Sequence, residues 1–163
     1  MKRLFCCLTV CCLLFTGCAA AGEWIKEPVT FYYVRENYQK DMDHVIASEV
    51  REAAGHRDDL SYLLALYCMG PAAEDLHSLL PRNTTIVPTE RTANSVQLTL
   101  SETVQTITDA EFTLASACIA MTCMELIDVQ QVTILCEDRN ITIQEENLLL
   151  FHSMPQNPQE EIN

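Results

Sequence analysis

Nine cysteines, four histidines and the pair Ser101-Glu102 at a strand end are the side chains of this 163-residue sequence singled out as types that could do chemistry. His44, His56, His77 and His152 are scattered. No two of them share the i, i+4 spacing that sets two imidazoles on one helical face, and none has cysteines at finger spacing, so no metal ion or other cofactor is expected. Cys118 and Cys123 are five residues apart, about 140° around a helix, which separates their thiols instead of pairing them for redox work. A bridge from Cys68 to Cys118 stays open if two helices pack side by side in an oxidising compartment. Buried free thiols at Cys68, Cys118, Cys123 and Cys136 are the other reading. Ser101-Glu102 follows a strand end but has no histidine at a defined offset and no glycine-rich turn for an oxyanion. A turn or helix cap is expected there, and with no catalytic residue identified the chain reads as a non-enzyme.

The other five cysteines, Cys6, Cys7, Cys11, Cys12 and Cys18, lie in the first 18 residues. Lys2 and Arg3 precede an apolar run from Leu4 to Phe15. That run has the length of a signal h-region and falls short of the roughly 20 apolar residues a spanning helix needs. Leu14-Phe15-Thr16-Gly17-Cys18 resembles the lipobox of bacterial lipoproteins, with Phe15 where the motif usually has Leu. The resemblance implies a signal peptide over 1–17, lipidation of Cys18, and a tether over 18–28 holding the chain on the extracytoplasmic face of the cell membrane. Each buried CH₂ of an acyl chain contributes about 0.8 kcal/mol, so two or more chains anchor stably. An ordinary secretory signal cleaved near Ala19-Ala20-Ala21, with Cys18 lost, is the alternative.

The formal net charge of −13 and the absence of a basic stripe exclude nucleic acid as a partner and disfavour anionic headgroups. With 48% hydrophobic and 20% charged residues, the mature part has the composition of one globular domain.

The elements follow from residue pattern. Val29 to Val34 is β-branched and aromatic, a strand. Val45 to Glu52 fits a strand better than a helix, although both phases are populated. Asp58 or Asp59 caps a helix with an apolar stripe of Leu60, Leu63, Leu64, Tyr67 and Cys68, ended by Gly70-Pro71. Thr84 to Glu90 and Val96 to Leu100 pair as strands, and Pro88 demands an edge or a bulge in the first. Asp109 to Ile127 is a long helix, apolar nearly all round and so covered on more than one side. Its Ala115, Ala117 and Ala120 allow close approach. Val129 to Cys136 and Ile141 to Ile143 form a hairpin turning at Asp138-Arg139-Asn140, Leu148 to Phe151 could add a last strand, and residues 152–163 are a polar tail. The order implies an α+β fold, a mixed β-sheet with two helices packed on one face.

Several landmarks together resemble the GerMN domain of sporulation and spore germination proteins. They are the helix Leu60-Ser61-Tyr62-Leu63-Leu64-Ala65-Leu66-Tyr67 closing on Gly70-Pro71, Leu79-Leu80-Pro81, Thr84-Thr85-Ile86, Leu98-Thr99-Leu100-Ser101, the alanine-rich helix, and Val129-Gln130-Gln131-Val132-Thr133-Ile134. The resemblance covers 29–151. It implies a non-enzymatic extracytoplasmic domain, similar in architecture to ring-building motifs of secretion assemblies, which associates with itself or with an envelope protein. The surplus apolar face of the long helix is one candidate interface, a sheet edge another. A small-ligand or peptidoglycan-binding lipoprotein is the alternative, and no ligand-binding residue is identified for it.

Overall fold

The computed structural model describes residues 26–37 and 45–152, so the expected signal peptide over 1–17, Cys18, His44 and residues 153–163 lie outside the described residues. The chain is α+β, but its strands divide between two sheets where a single one was expected. β1 (Pro28–Arg35) lies between β2 (Ile46–Glu52) and β3 (Leu76–His77), all antiparallel. β4 (Ile86–Arg91), β5 (Ser95–Leu100), β6 (Gln131–Cys136) and β7 (Arg139–Gln144) form the second sheet in chain order. Only the β5–β6 pairing is parallel in that sheet, because the chain between them crosses over through a 3₁₀ turn, Glu102–Thr106, and a helix. The helices are α1 (Leu60–Cys68), α2 (Asp109–Ile127) and α3 (Glu145–His152).

A helix interrupts what could have been one sheet. The far side of β1 is covered by β3 only at Val34 and Arg35. Farther back along β1, the Tyr32 amide donates to Thr122 Oγ1 of α2 at 3.0 Å, so a helix hydroxyl takes the place of a strand carbonyl. α2 packs on β1 on one side and on β6 and β7 on the other. Between Phe112 and Ile127 only Thr113 and Glu125 are exposed. The apolar surplus read from the sequence is therefore absorbed by two sheets, which corrects the expectation that it could form an interface. A Thr108–Glu111 capping box starts this helix.

Val45–Glu52 resolves as a strand, in register from Pro28↔Glu52 to Val34↔Ile46. α1 begins at Asp59, whose Oδ1 accepts the Tyr62 amide at 3.0 Å, and stops at Gly70, whose φ of +84° only glycine adopts without strain. Pro88 has both of its predicted consequences: β4 is an edge strand, and its register shifts between Pro88 and Glu90. Two expectations fail locally. The β6–β7 turn is Glu137-Asp138, with Glu137 at φ +49° and Cys136 paired to Arg139, so Arg139 and Asn140 belong to β7 and not to the turn. Leu148 to Phe151 is helical in α3, where Glu145 and Glu146 sit in the first turn and suit the positive end of the helix dipole; a four-residue apolar run has no period to distinguish the two states. The core runs through Phe31, Tyr33, Leu63, Leu64, Leu98, Ile119 and Ile134, each essentially sealed from solvent.

Candidate functional site

Among the described residues, Ser101, His56 and the cysteines singled out for chemistry are engaged in packing or backbone bonds. Ser101 occupies the cap position of the 3₁₀ turn, yet its Oγ turns back to accept the Thr85 amide at 3.0 Å and lies 2.9 Å from Thr103 Oγ1. His56 stacks on Tyr62, with ring centroids 4.0 Å apart, and His77 lies in β3 opposite Val34. Among the described residues no three histidine, cysteine or acidic side chains gather as a metal set. Cys68, Cys118, Cys123 and Cys136 are free thiols, and all but Cys68 are buried. Burial pushes the Cys68 thiol up to about 11, and the Cys118 and Cys123 thiols up to about 12, from an ordinary 9.0. A thiol held so far above its ordinary range is protonated and unreactive at neutral pH.

These shifts fix a pH dependence. A pKa raised by folding contributes stability that is fully present below the unfolded thiol value of 9.0 and is lost as pH rises through about 12. The urea midpoint should therefore fall between pH 9 and pH 11, less so in Cys118→Ala/Cys123→Ala. At pH 8 an aromatic disulfide reagent should modify these two positions only at the rate of unfolding; fast modification of folded protein would contradict their placement.

An open groove of about 540 Å³ is lined by Gly55, His56, Asp58, Asp59, Leu60, Ser61, Pro88 and Arg91. Apart from the imidazole it presents no aromatic ring, unlike the aromatic-lined pocket a small-ligand site would call for.

The most organised polar cluster is one that sequence reasoning left as half of an ambiguous segment. Alternation along β2 turns Ala47, Glu49 and Arg51 toward α1, the face that Phe31 and Tyr33 share across the ladder. Glu49 accepts the Ala72 amide at 2.9 Å and the Ala73 amide at 3.0 Å. Arg51 Nη1 donates to the carbonyls of Gly70 (3.0 Å), just beyond α1, and of Leu66 (3.4 Å), which also accepts the Met69 amide in the last turn, and stands 3.6 Å from Glu49 Oε1. Tyr33 adds a hydroxyl bond to Tyr67 O at 2.9 Å, its ring stacked on Tyr67 at 4.7 Å. One face of β2 is thus locked to the end of α1. The opposite face carries Ile46, Ser48, Val50 and Glu52, and Val50 is 52% exposed.

The edge of β2 completes the picture. The Arg35 amide donates to Val45 O, and the Ala53 amide to Glu27 O, so odd-numbered residues turn their backbone groups to β1. The amides and carbonyls of Ile46, Ser48, Val50 and Glu52 point the other way, where among the described residues no strand pairs with them. The site is a rigid, open strand edge. Alternation in the sequence was its visible signal; whether that edge was covered was not visible.

No protein-family model and no curated protein matches the chain. Among solved structures, a crystal structure described as “Putative Lipoprotein from Clostridium perfringens” is similar at a TM-score of 0.45 and 13% identity, over 74% of this chain and 88% of that one.

Proposed function

We propose that this chain is an extracytoplasmic lipoprotein, anchored to the cell membrane through acyl chains on Cys18, whose domain binds and assembles and does not catalyse. The observation that carries the anchor is the order Lys2-Arg3, apolar Leu4–Phe15, then Gly17-Cys18 before three alanines. The non-enzymatic reading is supported by the engagement of Ser101, His56 and the buried thiols in packing and backbone bonds. The assembly reading is supported by the open edge of β2, held stiff by Glu49 and Arg51. A GerMN-type role, and with it a link to sporulation or germination, belongs to the same proposal and rests on the residue pattern alone.

Labelling cells with a palmitate analogue tests it. The wild-type chain should carry label and sediment with membranes, and Cys18→Ala should lose both. Unlabelled wild-type protein released to the medium would establish the ordinary secretory signal instead and overturn the anchor.

A further inference from the structure

We propose that two copies of this chain join β2 to β2 about a two-fold axis through Val50, making one continuous six-stranded sheet from two three-stranded ones. The inference deepens the reading of the domain as a tethered assembly module, and rests on it for the membrane setting.

The argument begins with which edges are open. A strand edge left with unpaired amides and carbonyls is a template for another strand, and proteins normally blunt such edges with proline, bulges or short length. β3 is two residues long, β4 carries Pro88 and a register shift, and β7, the outer strand of the second sheet, packs against α2 and α3. β2 has seven residues, no proline and an unbroken register with β1. Among the described residues its edge is open, and it is stiff because Glu49 and Arg51 tie the strand to the end of α1. A stiff strand loses little entropy when a partner pairs with it.

Charge selects the partner and the register. Outward-pointing residues must face outward-pointing residues, so the allowed antiparallel registers differ by steps of two. With Val50 opposite Val50 of the second copy, each Glu49 faces an Arg51, each Ser48 faces a Glu52, and the half-exposed valine is covered by its twin. The neighbouring register on one side sets Glu49 against Glu49, and on the other Arg51 against Arg51. Like charges directly opposite each other destabilise a strand pair, whereas opposite charges stabilise it. Glu49 and Arg51 would also form the non-hydrogen-bonded pairs, in which side chains approach most closely. The segment Glu49-Val50-Arg51 is thus complementary to itself in one antiparallel register.

The anchors are compatible with this arrangement. Pro28 pairs with Glu52, two residues from the axis, so the two chains enter their sheets about 20 Å apart by the rise and spacing of a pleated sheet. Residues Cys18 to Glu27 reach up to about 35 Å when extended, which lets both tethers meet one membrane. Two tethered copies meet at a high effective concentration, which offsets the repulsion between two acidic bodies.

Disulfide trapping in the full-length chain tests both pairing and register. Facing residues of a hydrogen-bonded antiparallel pair have Cα atoms about 5.5 Å apart, inside the range a disulfide spans. In membranes of cells expressing Val50→Cys, a mild oxidant should convert most of the chain to a linked homodimer. Ser48→Cys, whose twin lies about 14 Å away, should give none. Val50→Pro removes an outward amide that β1 does not use. It should leave the fold intact and abolish the dimer seen by light scattering of the detergent-solubilised chain. Val50→Cys that stays monomeric, links to a different protein, or links no better than Ser48→Cys overturns the inference. The palmitate label on Cys18, read in the same samples, reports separately whether the anchored-lipoprotein reading stands.

Discussion

Arg139→Ala lowers the stability of the domain by about 2–4 kcal/mol, read as a shift of the urea midpoint with an unchanged slope. The guanidinium donates to Val104 O at 2.6 Å and Ile107 O at 3.3 Å, and lies 4.5 Å from the centroid of the Phe112 ring. Its side chain is only 19% exposed, and its loss would leave Ile107 O without a donor and Val104 O with only the Ile107 amide at 3.3 Å. Those carbonyls hold the 3₁₀ turn that seats the fully buried Val104 and leads into α2. Arg139→Lys should recover only part of the loss, because one ammonium cannot fork to two carbonyls while lying flat on a ring. The ion pair with Asp109 contributes little to this. At 3.8 Å, with Asp109 96% exposed, it is screened by solvent, so Asp109→Asn should cost less than about 0.5 kcal/mol. A stability of Arg139→Ala within that same margin would show that the clamp is redundant.

Glu49→Ala should have an effect of similar size, about 2–4 kcal/mol, with a different local signature. The carboxylate is 9% exposed and accepts two backbone amides, those of Ala72 and Ala73, in a loop that follows Gly70-Pro71 and has few other ties to the sheet. Removing it strands both donors and takes the counter-charge from Arg51, which keeps its bonds to Leu66 O and Gly70 O. Hydrogen exchange separates the local effect from the global one: the Ala72 and Ala73 amides should exchange well before the β1–β2 ladder does. Glu49→Gln keeps one acceptor oxygen and should fall between Ala and wild type. Unchanged protection of both amides in Glu49→Ala would dismiss the clasp. Because Glu49 also stiffens β2, Glu49→Ala should weaken pairing of copies as well as folding, whereas Val50→Pro should weaken pairing alone.

The contrast between these two residues shows what could be read in advance. Glu49 and Arg51 were visible as one phase of an alternating segment, but their partners are backbone groups 15–24 residues away, and nothing in the residue types of Leu66, Gly70, Ala72 or Ala73 announces an acceptor or a donor. The polar run Asp138-Arg139-Asn140 predicts a turn that includes Arg139, but the turn starts one residue earlier and closes two earlier, with Glu137 in a left-handed conformation. The apolar character of α2 was correctly read as burial on more than one side. That the covering surfaces are β1 and the second sheet, with Thr122 taking up the Tyr32 amide, depends on a contact across 90 residues.

Taken alone, the amino-acid order determined much of what is governed by neighbours within a few residues. The Asp59 cap, the Gly70 stop, the proline-shifted edge of β4 and the alternation of β5 are of this kind, because caps, φ restrictions and side-chain period are local properties. Only the tertiary structure decided that the strands split into two sheets, that α2 closes the gap between them, and that among the described residues β2 is left with an open edge. Those outcomes turn on which distant group meets each backbone amide and carbonyl, and every residue carries the same amide and carbonyl whatever its side chain.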